Sequence, residues 1–262
     1  MSFSDQYIQI LGAYGTKFSG FGTSAFLLND SNTIDAGNLL KPLKERSVQI
    51  EHIWMTHSHL DHISDIAFIL DNYYAKREKT LHIHGLPPTI KAIRKHFLND
   101  LIWPDFSTIP MHNSTKMCIE YHEIEFDQSY QIGDGETLRP FKTDHTVPSC
   151  GYVYKKDQRG ILITADTYSI ERPLEILEGD TSIKAAVIEC SFPSSMEKLA
   201  KDSKHLTPKL LFEMLEDVKR RDFTLYINHI KPIFYNKMVE EIMQMRGEWE
   251  PIILQDEDFL KY

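Results

Sequence analysis

The hydrophobic pattern predicts strands through the first and middle parts of the chain, and alternating helices and strands in the last third. Short apolar or alternating runs predict strands at 7–11, 24–28, 50–55, 81–84, 117–125, 136–143, 151–154, 160–164, 185–189 and 224–228. Apolar residues at helical spacing predict helices at 63–79, 89–98, 170–177, 207–220 and 236–246. Strands flanked by helices in both halves indicate a layered α/β protein with two sheets packed between helices.

Composition adds a limit on size and on partners. No internal repeat, low-complexity segment or Gly/Ser linker divides the 262 residues, so we treat residues 1–262 as a single domain. The 38 acidic residues outnumber the 29 basic ones, which gives a formal net charge of −9, and the basic residues are scattered. A general nucleic-acid binder usually carries the opposite charge or a basic stripe, so we do not expect nucleic acid as a partner.

The start of the chain and its cysteines indicate a cytoplasmic protein. The first residues lack the basic and apolar regions of a signal peptide, and no apolar run approaches the roughly 18 residues that span a bilayer. Cys118, Cys150 and Cys190 are far apart and suggest no disulfide framework. We therefore expect a cytoplasmic protein without a membrane partner, and a homodimer is left open.

A dense group of metal-ligand residues follows the strand predicted at 50–55. His57, His59, Asp61 and His62 place four candidate ligands within six residues, which apolar packing does not explain. A turn after a strand directs successive side chains toward one point. His57 and His59 can therefore serve one ion, and Asp61 and His62 a second. Imidazole and carboxylate ligands without a thiolate suit zinc, and also manganese or iron.

Three more candidate ligands follow predicted strands. His145 comes after strand 136–143, Asp166 after strand 160–164 and His229 after strand 224–228. Sites in α/β proteins usually form at the carboxyl ends of strands, so we expect these three residues to meet the first group. A carboxylate such as Asp166 can bridge two cations that are roughly 3.5–4 Å apart.

This series of residues resembles the metallo-β-lactamase-fold hydrolases over nearly the whole chain. The match runs from Asp35-Ala36-Gly37 through the motif His-x-His-x-Asp-His at 57–62 to the three later ligands. The resemblance implies an αββα sandwich with a dinuclear metal site at one edge of the sheets and two divalent ions, zinc first among the candidates. By likeness to the nuclease and phosphodiesterase branch, His57, His59, His145 and Asp166 would hold the first ion, and Asp61, His62, Asp166 and His229 the second.

Three further stretches are similar to the class II 3′,5′-cyclic-nucleotide phosphodiesterases. They are residues 185–192, 205–211 and 227–232, and the His-x-His-Leu-Asp-His-Ile form of the metal motif is also typical of that class. The resemblance implies a phosphoric diester hydrolase whose two ions activate a bridging hydroxide. Its substrate would be a small cyclic nucleotide such as cAMP or cGMP, and its product a nucleoside 5′-monophosphate. Asp65 departs from this class, which usually has Gly or Ser there.

The resemblance also gives a role to a histidine before a predicted helix. Thr207 is a good N-cap and Pro208 a good first helical residue, so free N–H groups behind His205 could face a phosphate oxygen. We expect His205 to protonate the leaving alkoxide, with Glu189 orienting the imidazole and supporting its charged form. Asp61 is counted with His205 and Glu189 among the catalytic residues.

Two alternatives share the fold. A ribonuclease Z-like phosphodiesterase has the same ligands and the same Glu/His pair. However, this chain shows no insertion like the arm that grips tRNA, and a charge of −9 opposes binding a polyanion. The second alternative is a di-iron oxygen-binding or redox protein. Iron sites of this fold usually read His-x-Glu-x-Asp, so His59 favours hydrolysis.

The remaining histidines and Cys190 receive no chemical role. His82 and His84 repeat the His-x-His spacing on a short strand, which predicts a structural pair on one face. His52, His96, His112 and His122 have no partner spacing. Cys190 is predicted to be a small buried residue.

Overall fold

The strands of this protein form two sheets in a computed structural model that describes residues 7–262. In the first sheet the order is β14-β1-β2-β3-β4-β5-β6 and in the second it is β13-β12-β11-β10-β9-β8-β7. The strands are β1 Tyr7–Gly12, β2 Ala25–Leu27, β3 Asn32–Ile34, β4 His52–Trp54, β5 Leu81–Gly85, β6 Ile119–Glu123, β7 Tyr130–Gly133, β8 Glu136–Lys142, β9 Cys150–Lys156, β10 Arg159–Ile163, β11 Ile183–Glu189, β12 Thr224–Asn228, β13 Ile252–Ile253 and β14 Phe259–Lys261. The prediction that the start is not a signal peptide rests on residues 1–7, of which residues 1–6 lie outside the described residues.

Helices cover the outer faces of both sheets. They are α1 Leu40–Leu43, α2 Leu60–Tyr73, α3 Pro87–His96, α4 Glu171–Gly179, α5 Glu197–Ser203, α6 Pro208–Leu215 and α7 Tyr235–Met245. Short 3₁₀ turns lie at Lys44–Gln49, Tyr74–Lys76, Ser194–Met196 and Pro232–Phe234. Within residues 7–262, no helix has both the length and the apolar character needed to cross a membrane.

Three apolar layers separate these elements and give the predicted αββα order. Ile66 and Leu70 of α2 pack with Ile53 and Ile83 on the outer face of the first sheet. Residues of both sheets, including Phe26 and Tyr152, fill the space between them. A third layer joins the second sheet to α4, α6 and α7. The alternation of a strand's side chains explains this, because neighbouring residues face opposite layers.

The strand directions bring the chain's polar loops to one edge. Strands β10, β11 and β12 are parallel, and β8 runs the same way because it is antiparallel to β9, which is antiparallel to β10. The loop after β4 in the first sheet is fixed to the second sheet at this edge. Cys150 N–H donates to the Thr56 carbonyl at 3.0 Å, and the Tyr152 hydroxyl donates to the Met55 carbonyl at 2.8 Å.

Most predicted elements are present, but the predicted ends of two helices are wrong. The helix predicted at 63–79 is α2, which ends at Tyr73, and the helix predicted at 207–220 is α6, which ends at Leu215. In each case an arginine after the helix binds carbonyl groups of another segment. Arg77 donates to Ile50 at 2.7 Å, and Arg220 donates to the carbonyls of Asp180 and Ile183. These long-range bonds draw the chain off the helix axis, which periodicity cannot reveal.

Candidate metal centre

The loop after β4 and the first turn of α2 carry four of the candidate ligands. His57 and His62 are fully buried, while His59 and Asp61 are partly exposed. Gly37 permits this arrangement, because a Cβ at that position would lie 1.9 Å from the Asp61 carbonyl oxygen. The turn that presents the ligands therefore packs directly against the backbone of Gly37.

The second sheet contributes the other three candidate metal ligands. His145 follows β8, Asp166 follows β10 and His229 follows β12, all at the edge where these parallel strands end. The Asp166 and His229 side chains are 2% exposed, and that of His145 is 1% exposed. The structure brings together all seven residues that the sequence singled out as metal ligands.

The seven residues form two groups whose ligand atoms converge. The first group is His57, His59, His145 and Asp166, and the second is Asp61, His62 and His229. Within each group the ligand atoms lie within 4.8 Å of one another. In the second group His229 Nε2 is 3.6 Å and His62 Nε2 is 3.9 Å from Asp61 Oδ2.

Asp166 lies between the two groups. Its Oδ2 atom is 3.6 Å from His57 Nε2 and 3.7 Å from His145 Nε2 in the first group. The carboxylate is also 3.5 Å from His62 Nε2 and 3.2 Å from His229 Nε2 in the second. One buried carboxylate thus faces imidazoles from both sheets, the position of a bridging ligand in a two-metal site.

Hydrogen bonds turn the two imidazoles of the first sheet toward Asp166. His62 Nδ1 donates to Asp35 Oδ2 at 2.6 Å, and Asp35 also accepts from the Thr56 hydroxyl and backbone N–H. Since the Thr56 hydroxyl donates to Asp35, it can accept from His57 Nδ1 at 3.0 Å. These bonds place a proton on Nδ1 of both rings, so Nε2 is the atom that each ring directs toward Asp166, as in imidazole ligands of metals.

The same arrangement holds for two imidazoles of the second sheet. His145 Nδ1 donates to the Lys204 carbonyl at 3.1 Å. The Ser191 hydroxyl, which donates to Glu189 Oε2 at 2.9 Å, accepts from His229 Nδ1 at 3.0 Å. His59 differs, because its Nδ1 atom faces the centre, 3.1 Å from His145 Nε2.

Divalent metal ions fit the buried nitrogen and oxygen atoms that these hydrogen bonds do not pair. His57 Nε2, His62 Nε2, His229 Nε2 and Asp166 Oδ1 are all buried and have no hydrogen-bond partner. Buried polar atoms without partners are costly, at about 1–3 kcal/mol each. A set of imidazole nitrogens and carboxylate oxygens without thiolate is the donor set of zinc, manganese or iron.

The ionisation of most of these groups also favours metal binding. His62 is the exception: burial alone would lower its pKa, but Asp166, Asp35 and Asp61 outweigh it and raise the pKa well above its ordinary value. Burial lowers the pKa values of His57, His59 and His145, so their rings are neutral near pH 7, the form that ligates metals. Burial alone would raise the pKa of Asp166, but His229 and His62 outweigh it and hold the pKa well below its ordinary value. The shared ligand is therefore a carboxylate.

Unusual backbone angles occur beside the centre. Asp35, Ala165, Lys204 and His229 have φ angles of 57°, 52°, 58° and 66°, although none is glycine. Such conformations cost of order 1–3 kcal/mol each and persist where surrounding contacts impose them. Each of these four residues is itself a site residue or adjoins one, so part of the chain's backbone strain lies at positions that aim a functional group.

A buried Glu–His pair lies next to the second group. His205 Nδ1 donates to Glu189 Oε1 at 2.8 Å, and Glu189 also accepts from Thr167 N–H and the Ser191 hydroxyl. Burial alone would lower the pKa of His205, but attraction to Glu189 outweighs it and the pKa is raised. A His205 ring nitrogen lies within 4.8 Å of ligand atoms of Asp166 and His229.

The helix predicted to start behind His205 is present, with a well-formed N-cap. Helix α6 begins at Pro208, and the Thr207 hydroxyl accepts from Leu210 N–H at 3.3 Å. His205 therefore stands two residues before the N-cap, as the sequence predicted. Cys190 is fully buried and burial raises its pKa, which agrees with its prediction as a small buried residue.

Asp65 has a structural role. Its Oδ2 atom accepts from Leu39 N–H at 2.6 Å and from Leu40 N–H at 2.9 Å, so it binds free backbone donors at the start of α1. The departure from the class II pattern at this position thus leaves the groups around Asp166 untouched.

Sequence reasoning missed the residues that orient the ligands. In the sequence, Asp35 stands out only within the matching segment Asp35-Ala36-Gly37, and no pattern gives a role to Thr56 or Ser191. The signal for Asp35 was present, since a carboxylate directly after an apolar strand needs a buried partner. Nothing in local spacing identifies Ser191, whose two histidine partners are 14 and 38 residues away.

Comparison with known proteins agrees with this fold. Residues 12–139 match the family described as cAMP phosphodiesterases class-II. The 3′,5′-cyclic-nucleotide phosphodiesterase 1 of Saccharomyces cerevisiae is 29% identical over 215 residues, which cover 73% of this chain and 56% of that protein. A ribonuclease Z of Thermococcus onnurineus is 33% identical over 123 residues, or 46% of this chain and 34% of that protein. These alignments thus span about half or less of the curated relatives.

Solved structures resemble the whole fold. A crystal structure of unliganded yeast PDE1 has a TM-score of 0.81 and 20% identity, and the superposition covers 98% of this chain and 99% of that one. The metallo-β-lactamase fold protein YhfI from Bacillus subtilis has a TM-score of 0.76 and 18% identity, with 97% and 99% covered. At these identities the likeness concerns the fold.

Fold and site together define the class: this is a protein of the metallo-β-lactamase fold, as the sequence predicted. The fold and the donor set imply divalent metal ions. Within that class the family match confirms the predicted resemblance to the class II cyclic-nucleotide phosphodiesterases.

The Asp35–His62 bond generates a prediction about metal affinity. Asp35→Asn keeps the size of the side chain but removes the charge that supports His62. We expect metal affinity to fall about 10–100-fold, the usual effect of losing an outer partner of a ligand. Competition with a chromophoric chelator would measure this.

Asp65→Ala is the matched control, because Asp65 is also buried but binds only backbone N–H groups. It should lower the free energy of unfolding by about 1–3 kcal/mol and leave metal affinity unchanged. Equal metal affinities of the Asp35→Asn variant and the unaltered chain would contradict the orienting role.

Proposed function

We propose that this chain is a metal-dependent phosphodiesterase that hydrolyses 3′,5′-cyclic nucleotides to nucleoside 5′-monophosphates. The observation that carries the proposal is the buried Glu189–His205 pair beside the carboxylate shared by the two ligand groups. A metal pair and an adjacent proton donor are what a phosphodiester with a poor leaving group requires. The match to cAMP phosphodiesterases class-II supports the cyclic-nucleotide substrate.

The ions would be held by residues of both sheets. Zinc is the expected metal, with His57, His59, His145 and Asp166 around one ion and Asp61, His62, Asp166 and His229 around the other. When bound, such ions make a coordinated water more acidic and stabilise negative charge on a phosphoryl group.

His205 would act as the general acid. Its Nδ1–H donates a hydrogen bond to Glu189, so Nε2 is the ring nitrogen that can exchange a proton with a substrate. Since its pKa is raised, the imidazole is more readily protonated near neutral pH than a free histidine. Protonation of the departing 3′ oxygen converts a strongly basic alkoxide into a neutral alcohol. Glu189 stabilises the cation before transfer and fixes the ring.

A small substrate suits the charge of the chain better than a polynucleotide. The net charge of −9 disfavours association with RNA at physiological salt. The Phe18–Phe21 loop presents one exposed ring, since Phe18 is 55% exposed while Phe21 packs against Tyr14 with ring centroids 4.6 Å apart. An exposed aromatic ring can stack on a base.

A ribonuclease Z-like activity is the second candidate function. The observation in its favour is the 33% identity with a ribonuclease Z over 123 residues. Both candidates use the same metal ligands and acid, so their distinction depends on the substrate.

A direct assay separates the two candidates. The purified chain, loaded with zinc or manganese, is incubated with cyclic AMP, cyclic GMP and a precursor tRNA, and the products are resolved by chromatography. We expect 5′-monophosphates from a cyclic nucleotide and no cleavage of the tRNA. Cleavage of the tRNA without turnover of either cyclic nucleotide would reject our proposal in favour of the second candidate.

The role of His205 predicts an effect that depends on the leaving group. His205→Ala should lower kcat for a cyclic nucleotide by roughly 10²–10⁴, as expected for removal of a general acid. Bis-p-nitrophenyl phosphate should be affected much less, because its phenolate leaves without a proton. Glu189→Gln should show the same selectivity more weakly.

Metal content and folding serve as controls, since His205→Ala should retain the ions of the unaltered chain. Equal losses of kcat with both substrates would show that His205 positions the substrate or the loop and does not donate the proton.

A further inference from the structure

Four histidines and a glutamate lie on one face of the first sheet, outside the site described above. The parallel register of β4, β5 and β6 aligns His52 with His82 and Glu120 in one row. It aligns Trp54 with His84 and His122 in the next row. We call the four histidines and the glutamate of these two rows the histidine rows: His52, His82, His84, Glu120 and His122.

This face looks toward the second sheet near its β7 edge. Trp54 stacks on His84 with ring centroids 3.9 Å apart and lies 5.5 Å from the Tyr130 ring of β7. The intervening residues Ile53 and Ile83 face the opposite way, into the apolar layer under the helices. Four imidazoles therefore occupy positions where a layered sheet normally carries apolar side chains.

The rings contact one another across the strands. His52 and His82 stack with centroids 4.9 Å apart, and His84 and His122 stack at 4.7 Å. The sequence-based view of His82 and His84 as a structural pair, with no role for His52 or His122, therefore misses a four-ring cluster. Its members come from three strands, so their spacing along the chain does not reveal it.

We propose that His82, Glu120 and His122 bind a divalent transition-metal ion at a site separate from the centre around Asp166. Their ligand atoms lie within 4.8 Å of one another. His82 Nδ1 is 3.5 Å from Glu120 Oε2 and 2.9 Å from His122 Nε2. Ligands at tetrahedral angles around zinc lie about 3.4 Å apart, so a small opening of the two rings admits the ion.

The donor set and its exposure define the kind of ion. Two imidazole nitrogens and one carboxylate oxygen select a metal of the zinc or copper type over calcium or magnesium. The Glu120 side chain is 51% exposed and that of His82 27% exposed, so an ion from solvent can reach them. Since β6 lies at the end of the described sheet, the ion joins this edge strand to β5.

The neighbouring pair in the cluster provides a comparison. His52 Nδ1 and His84 Nε2 are 3.0 Å apart, much like His82 Nδ1 and His122 Nε2. Of these two pairs, however, only His82 and His122 form a candidate metal-binding group with a carboxylate, that of Glu120. A hydrogen bond between the two rings satisfies one nitrogen each of His52 and His84. The carboxylate beside His82 and His122 supplies the negative charge that favours a cation.

The test measures zinc bound by the full-length untagged protein. The unaltered chain and the variants His122→Gln and His82→Asn are saturated with zinc alone, dialysed and analysed by mass spectrometry of the metal. We expect each of these variants to hold one ion per chain fewer than the unaltered chain. His52→Asn is the matched control, because it alters the same cluster without removing a ligand, and it should lose none.

Equal zinc content in the unaltered chain and both ligand variants would overturn the proposal, and so would a loss from His52→Asn. A second measurement needs no variant. Crystals of the unaltered chain with zinc should show an anomalous peak between His82, Glu120 and His122, and its absence would also overturn the proposal. Neither measurement depends on the phosphodiesterase activity.

Discussion

The buried Asp166 carboxylate is the constraint on which the rest of the site depends. It faces His57 and His62 from the first sheet and His145 and His229 from the second, at distances of 3.2–3.7 Å. A charged carboxylate at 2% exposure is tolerated only where cations or donors surround it. The edge at which the two sheets meet is therefore a place where the fold requires a metal ion or an equivalent charge.

Much of the surrounding structure keeps these groups aimed at Asp166. Asp35, Thr56, Ser191 and the Lys204 carbonyl each hold the Nδ1 side of one imidazole, so that Nε2 faces the centre. Positive φ angles at four residues add strain of order 1–3 kcal/mol each, and the packing of two sheets offsets it. The same Ser191 hydroxyl contacts Glu189, His205 and His229, so the acid and the metal ligands share one hydrogen-bond network.

The parts of this arrangement that the sequence predicts are those with local signals. The His57–His62 motif is dense enough to stand out, and the ends of apolar strands locate His145, Asp166 and His229. The orienting residues are not predictable in this way, because Asp35 meets His62 and Ser191 meets His229 only through the fold. The histidine rows are unpredictable for the same reason, because only the register of three separate strands brings their side chains together. Helix α6 is shorter than its periodicity predicts because Arg220 binds the backbone of another segment.

The most direct test of the account compares the metal content of two carboxylate variants. Asp61 faces only the second group of ligands, whereas Asp166 faces both. Relative to the unaltered chain, Asp61→Ala should therefore lose about one ion per chain and Asp166→Ala about two, as measured on dialysed protein by mass spectrometry of the metal. An Asp166→Ala variant that retains its full metal content, or that loses no more than Asp61→Ala does, would contradict a dinuclear centre built around a shared carboxylate.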